Sequence, residues 1–567
     1  GRYLIFTRID GNWYNDVYIG DSESGKVFNV TANPGNYGNP RFSTDGRIAY
    51  FTADGEIAYV FLQRHVHEMT WRERQLYFEE NSNGNGGTPP VQIDFEDISQ
   101  RTVKLTNLGQ VDAVTMTADA REFLFSTKRG HIWRIKLDGS GLQLLASDLD
   151  SPTNLQVAPE ENFLYFRDAT GRFYSLDVNN AVLRSHPYQA EVTVDRVEEL
   201  QKVFEQTVAT LRERFYDESL HQVDFIETAK QYRTRAATAT TSRDLYDIIR
   251  QMMGELNASH LAIWPELKRG DQTGHLGIIP DYDHSGSGQI ISAIVSGSPA
   301  DRNVSRLKKG EKITGIENRK ITGQRNYYQL LDGRTGKETR LDLINREGIT
   351  RSVVITPIAA AEYDLLIHNQ WVKANRKVVT QVSSGEIGYI HIRQIDDASL
   401  RRVEHDIALH TMDRKGLIID IRGNVGGSAH DRLLELFYRR AYVNRRPRHG
   451  ATGSDARVAF AGPIVLLVNE RTSSDAELFA YGFRKLSLGT IIGTSTYGAV
   501  IGTQTRTLID GSTLAIPSVG WFTLEGENLE GCGIEPDIEA PVNLTLLEKG
   551  EDSQLKQTIL HLLEQID

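Results

Sequence analysis

The stretch from Asn469 to Phe479, "NERTSSDAELF", puts two adjacent hydroxyls where an apolar run ends and a helical pattern begins. "PIVLLV" (Pro463 to Val468) precedes it and "LFAYGFRKL" continues it, so the window reads strand, short loop, helix. A serine hydroxyl is a poor nucleophile until a base takes its proton, and acyl transfer also needs donors aimed at the developing oxyanion. Ser474 suits that chemistry. At a helix N-terminus the next amide, of Asp475, is unpaired and the helix dipole favours negative charge. The window also has a plainer reading, because Ser474-Asp-Ala-Glu477 fits a capping box. The two roles are compatible, and the window alone does not choose between them.

A second oxyanion donor has to come from a loop at a strand end. "LIIDIRGNVGGSAHD" supplies one: an apolar strand runs into Arg422-Gly-Asn-Val-Gly426-Gly427. Open α/β sheets bind ligands at that end of their strands. Gly426 or Gly427 can provide the donor. A phosphate site is the rival reading, but no Gly-Lys-Ser/Thr follows. For the base there are 15 histidines. His260 follows a helical pattern in "NASHLAIW", beside Ser259, and spacing alone leaves it either structural or catalytic. His65 and His67 alternate along an apparent strand, but a metal site would need a third ligand, which is not evident. No zinc-protease helix motif occurs, and the expectation is no metal and no cofactor.

Four regions must position these groups. Residues 1–190 are strand-rich and loosely repetitive: "FSTDGRIAYF", "MTADAREFLFS" and "VAPEENFLYFRD" each read as a turn followed by an apolar strand, and "GRYLIFTR" as the end of a further copy. The copies recur at roughly 40 to 45 residues, which suits propeller blades. One interval is longer and contains "NSNGNGG". A partial β-propeller of C-terminal blades is expected, with a β-sandwich as the alternative. Residues 191–266 switch to helical period, with Ser242 as the expected cap of "SRDLYDIIRQMMGEL". Residues 267–358 hold short strands with glycine turns and resemble a PDZ domain, which would take an extended peptide by strand addition. Residues 359–567 alternate buried-type strands with helices, an α/β domain.

The whole chain has 567 residues, enough for roughly three or four domains. A net charge of -11 argues against nucleic acid as a partner. A single cysteine, Cys532, excludes an internal disulfide and a cysteine-rich metal site. No apolar stretch is long enough to span a bilayer.

"GELNASH", "GYIHI", "DIRGNVGG", "NERTSSDAELFAYGF", "LGTIIGTSTYGAVIG", "LIDGSTLAIPSVGWF" and "LEGCGIEPDIE" follow one another in the order seen in tricorn proteases, which the chain resembles over residues 190–567. These belong to the wider group of C-terminal processing peptidases. The resemblance implies a serine peptidase of short unfolded peptides working through an acyl-enzyme. Ser474 would be the nucleophile and His260 the base. Ser259 would orient the imidazole, and Glu530 would hold Ser259. Gly426 and Asp475 would form the oxyanion site. Processing peptidases of the bacterial tail-specific type use a lysine base. Ala499 stands at that place here, in "TYGAVIG", so a serine–lysine dyad is excluded.

The resemblance further implies a homo-oligomer, with a hexamer as the relatives' form. It implies a cytoplasmic location, with a periplasmic or exported one as the alternative. The family's acidic specificity position falls near Val443 in "YVNRRPRHG", a basic stretch without a carboxylate, so a more apolar or broader preference is expected. A non-enzymatic alternative is a peptide- or lipophile-binding member of the same fold.

Overall fold

A computed structural model describes the chain except residues 1, 10–14, 33, 34, 81–90, 159–161, 267–271, 324, 325, 412, 413, 447, 450–452, 456–459 and 567. It divides into two compact units, Gly1–Thr193 and Val194–Asp567.

The first unit is a series of antiparallel meanders. A three-stranded sheet (Tyr3–Ile9, Asn15–Asp21, Val27–Asn29) is followed by three four-stranded sheets, each built of strands consecutive in sequence. The three copies of the repeated motif form the same part each time. Ile48–Ala53, Glu122–Thr127 and Phe163–Arg167 are the second strand of their sheets. The turns before the first two come from the sequence. In the first, Asp45 caps the Arg47 amide (3.1 Å) and Gly46 takes φ 68°. In the second, Ala120 takes φ 56° without a glycine's freedom. The long interval between copies contains an insertion within the second sheet, and "NSNGNGG" itself lies outside the described residues. The expected strand around His65 and His67 is instead a helix, Arg64–Glu68. Asp94 accepts the Arg64 amide at 2.8 Å, Arg64 pairs with Glu68, and Val66 is buried. The alternating histidines therefore do not share a strand face.

The second unit holds three sub-structures. Helices Arg196–Arg214, Phe225–Ala236 and Ser242–Gly254 pack on a small sheet of Ala262–Trp264, Thr513–Gly520 and Ile501–Thr507. Their common core includes Leu200, Phe204, Ile249, Ile263 and Ile516. The third helix is capped by Thr241 in a capping box with Asp244, one residue before the expected Ser242. Segments some 250 residues apart thus share one core, and Tyr246 Oη–H donates to Asp510 at 2.6 Å across it.

Between them, an antiparallel β-domain runs in the order Ile278–Pro280, Gln289–Ile294, Lys312–Ile316, Thr339–Ile344, Thr350–Ile355. "GIENRKI" makes its hairpin, with Glu317 and Asn318 both at positive φ.

The α/β part is an all-parallel sheet ordered Ile387–His391, Gly416–Asp420, Ile464–Val468, Thr490–Gly493, Ile538–Glu539. Its three long strands are buried at every position, as a sheet covered on both faces requires. Asp397–His410, His430–Tyr438 and Asp475–Lys485 contribute to one core cluster. Ala360–Val382 and Ser553–Ile566 contribute to the other.

Candidate active site

Ser474 stands where the loop after Ile464–Val468 enters helix Asp475–Lys485. Its φ of 58° and ψ of -128° are unfavourable for a residue with a side chain. A strained strand-to-helix turn of this kind lifts a serine hydroxyl above a parallel sheet. Glu477 makes the predicted reach back, accepting the Ser474 N–H at 3.0 Å. The capping box closes only loosely on the hydroxyl side. The Glu477 amide bonds the Ser474 carbonyl at 2.8 Å, leaving the hydroxyl without a cap bond of ordinary geometry. The preceding residues sew the turn to the glycine loop: Ser473 N–H donates to the Asn424 carbonyl (2.9 Å) and Thr472 Oγ1 to Ile421 (3.0 Å).

That loop leaves the C-terminal end of Gly416–Asp420, the sheet edge at which open α/β folds bind ligands. Gly426, at φ 100°, lies directly against the serine. A Cβ there would fall 2.6 Å from Ser474 Cβ, 2.8 Å from the Asp475 nitrogen and 3.0 Å from Ser474 Oγ. Only glycine fits. Ile395 clamps the loop from the other side, donating to the Gly426 carbonyl (3.0 Å) and accepting Ser428 N–H (2.8 Å). The Gly426 amide donates to Asn424 Oδ1 at 2.9 Å. Neither Asp475 N–H nor Gly427 N–H has a hydrogen-bond partner among the described residues. The base of the loop is held by charge. Arg422 bonds Asp420, fully buried, and also Asp552. Burial raises the Asp420 pKa, but Arg422 outweighs it and holds the carboxyl below the usual carboxylate range.

Ser259 and His260 follow helix Ser242–Gly254, in a turn where His260 takes φ 61°. Ser259 Oγ and His260 Nδ1 are 2.7 Å apart. If Nδ1 donates in that bond, the lone pair of Nε2 is left free to take a proton. Glu530 reaches this turn from 271 residues away, but it binds the Ser259 amide (2.8 Å) rather than the hydroxyl. Burial lowers the His260 pKa, and the opposing charges of Glu530 and Glu477 do not restore it. The imidazole is therefore neutral near pH 7, as a proton acceptor must be.

The Ser474 turn and the His260 turn are joined through two consecutive amides. Ala499 N–H donates to Glu477 Oε2 at 2.8 Å, and Val500 N–H donates to Glu530 Oε2 at 2.7 Å. Glu477 also accepts Thr496 Oγ1–H (2.5 Å) and Gly498 N–H (2.7 Å) and is fully buried. One carboxylate thus ties the Ser474 amide to this strap, and the other ties the Ser259 amide to its next residue. The sequence pattern marked Glu477 only as a cap. Its place in an unbroken apolar run, "AELFA", was the signal that its carboxylate points inward.

Val443 lies exposed on a hairpin, Val443–Arg445 with Gly453–Asp455. Its cross-strand partner is Asp455, so a carboxylate absent from the "YVNRRPRHG" stretch stands beside it after all, paired with Arg445 at 3.0 Å. No cluster able to hold a metal ion occurs among the described residues, and no described helix is long and apolar enough to cross a membrane.

Residues 386–540 match the sequence profile of peptidase family S41, and residues 196–254 that of the tricorn protease C1 domain. The tricorn protease of Thermoplasma volcanium is 27% identical over 65% of this chain and 37% of its own length. A putative tricorn-like protease C-terminal subunit of Sulfurisphaera tokodaii is 26% identical over 96% of this chain and 67% of its own. The chain spans only 37% to 42% of the tricorn proteases of the two Thermoplasma species and of a Streptomyces coelicolor homolog. A crystal structure of the tricorn protease superposes on the whole chain, covering 59% of that structure, with a TM-score of 0.78 at 20% identity. The chain thus carries the sequence profiles of peptidase family S41 and of the tricorn protease C1 domain, is similar to tricorn-like serine peptidases, and shares its fold with the tricorn protease.

Proposed function

We propose that this chain cleaves short, unfolded peptides through an acyl-enzyme on Ser474. His260 takes the hydroxyl proton as Oγ attacks the scissile carbonyl carbon, then returns it to the departing amine. Water repeats the cycle in reverse to release the acyl group. Ser259 fixes the imidazole tautomer. Glu530 positions Ser259 through its backbone, one step less direct than a bond to the hydroxyl. The oxyanion sits between Asp475 N–H and the glycine loop. Gly426 provides the close contact there, and the unpaired amide of Gly427 is the alternative donor. The observation that carries this reading is the strained Ser474 turn with Gly426 pressed against it and an unpaired amide following.

The remaining assignments follow the same reading. The meander sheets of the first unit serve as propeller blades, and the middle β-domain as a PDZ module that admits extended chains. The site is a homo-oligomer's, in the cytoplasm, a compartment that a chain without disulfides tolerates. An apolar or broad preference at the cleavage site fits Val443, with Asp455 neutralised by Arg445. A binding-only role has no feature in its favour, since every position of the relay carries a competent side chain. A fluorophosphonate probe tests the proposal. Wild type and Ser473→Ala should label, and Ser474→Ala should not. A wild type that neither labels nor cleaves a peptide library overturns it.

A further inference from the structure

Asp475 faces two ways. Its amide follows the nucleophile, while its side chain leaves the helix and crosses to the segment beyond the glycine loop. There Oδ2 accepts Ala429 N–H at 2.8 Å and His430 N–H at 3.1 Å, and Oδ1 meets His430 Nδ1. Helix His430–Tyr438 gets no side-chain cap from its own N-cap residue, Ala429, so Asp475 supplies that acceptor from outside. Asp475 is 5% exposed and the His430 side chain 16%. The stretch from Gly426 to His430 is therefore bracketed by one residue. Gly426 presses on the Asp475 amide, and Ala429 and His430 are tied to its carboxylate.

The arrangement carries an electrostatic difficulty. A carboxylate one residue from the nucleophile opposes the negative charge that builds on the substrate carbonyl. Among the described residues no lysine or arginine pairs with Asp475, and His430 is the group that, protonated, neutralises it. The charged groups facing the His430 ring are Asp475, from the nucleophile helix, and Asp431, 3.5 Å from Nε2 on its own helix. Trp521 meets the ring edge-on, with centroids 5.6 Å apart.

We infer that His430 is a positioning residue of the oxyanion site, acting through Asp475 and acting in its imidazolium form. This rests on the serine-peptidase reading and deepens it. The imidazolium neutralises the Asp475 carboxylate and holds it against the Ala429 and His430 amides, which keeps the glycine loop and the Asp475 N–H at working separation. Neutral His430 leaves the carboxylate's charge uncompensated beside the oxyanion. Burial lowers the His430 pKa, but the hydrogen bond and charge of Asp475, and then Asp431, outweigh it and lift it above the ordinary value. His260 is displaced in the opposite direction. One histidine must be neutral and the other charged, so activity occupies a window between two limbs.

The test is the rate of fluorophosphonate labelling against pH, on the full chain, for wild type and His430→Gln. Wild type should lose rate on an alkaline limb above the ordinary histidine value. His430→Gln should label about tenfold more slowly on its plateau, keep the acid limb and lack the alkaline one. A uniform loss with an unchanged profile makes His430 merely structural and overturns the inference, as does an unchanged rate. Should His430→Gln fail to fold, the emission difference between wild type and Trp521→Phe reports the neighbouring imidazole instead. Its titration midpoint should coincide with the alkaline limb, and a separate midpoint overturns the inference. Absence of wild-type labelling at every pH defeats the underlying peptidase reading, whereas a labelled enzyme indifferent to His430 defeats this inference alone.

Discussion

The Ser474 turn and the His260 turn reach the same strap by different routes. Ser474 is held by its own surroundings in sequence: a buried strand, a tight loop, and a helix whose third residue, Glu477, grips the Ser474 amide. Ser259 and His260 follow a helix that precedes the middle β-domain in sequence, and a carboxylate 271 residues distant holds the Ser259 amide. The first arrangement is local and anchored by a fully buried carboxylate, Glu477. The second is remote, and its anchoring bonds are part-buried. Positioning on the Ser474 side is therefore tied more closely to the fold's stability than positioning on the His260 side.

Substitutions should separate the two. Gly426→Ala is the most damaging on the nucleophile side, because the added Cβ meets Ser474 and the Asp475 amide at 2.6 and 2.8 Å and the backbone is at φ 100°. We expect kcat/KM to fall by about 10³-fold, the cost of spoiling an oxyanion site, in steady-state assays on a peptide ester. Glu530→Ala should cost about 10²-fold in kcat, the worth of a well-placed base, with a smaller Tm loss than Glu477→Ala, because it strands two part-buried amides. Glu477→Ala should do the reverse of that separation. It strands four donors, three of them buried, at about 1–3 kcal/mol for each buried one left without an acceptor, so thermal unfolding should shift strongly along with activity. Equal Tm losses for Glu477→Ala and Glu530→Ala would erase the contrast.

The smallest effect concerns pH. A base whose pKa is lowered is neutral, and active, down to more acidic solution, so the acid limb of kcat/KM should lie below the ordinary histidine value of about 6.5. Glu530 opposes that lowering, so Glu530→Gln should move the limb further down. A limb at or above 6.5 in wild type contradicts the buried neutral imidazole.

The same contrast explains what could be read from the sequence. The Ser474 turn, the glycine loop, the alternating strands and helices of the α/β part and the repeated strand of the first unit are all local patterns, and they were legible. The helix cap fell one residue off because Thr241 and Ser242 offer equivalent hydroxyls, and only Asp244 three residues beyond Thr241 decides between them. His65 and His67 had a strand's period, but the Asp94 carboxylate, 30 residues on, caps a helix there. The grip of Glu530 on an amide and the three Glu477 donors beyond the Ser474 amide depend on segments well apart in sequence, and Asp455 lies beyond the "YVNRRPRHG" stretch, across a hairpin from Val443.

Mapping the covalent probe adduct by mass spectrometry on wild type and His260→Ala tests the central claim most directly, namely that two remote turns make one catalytic unit. The account predicts a single adduct on the peptide containing Ser474 in wild type, and its loss in a folded His260→Ala. An adduct on another serine, or one formed as fast without His260, would contradict it.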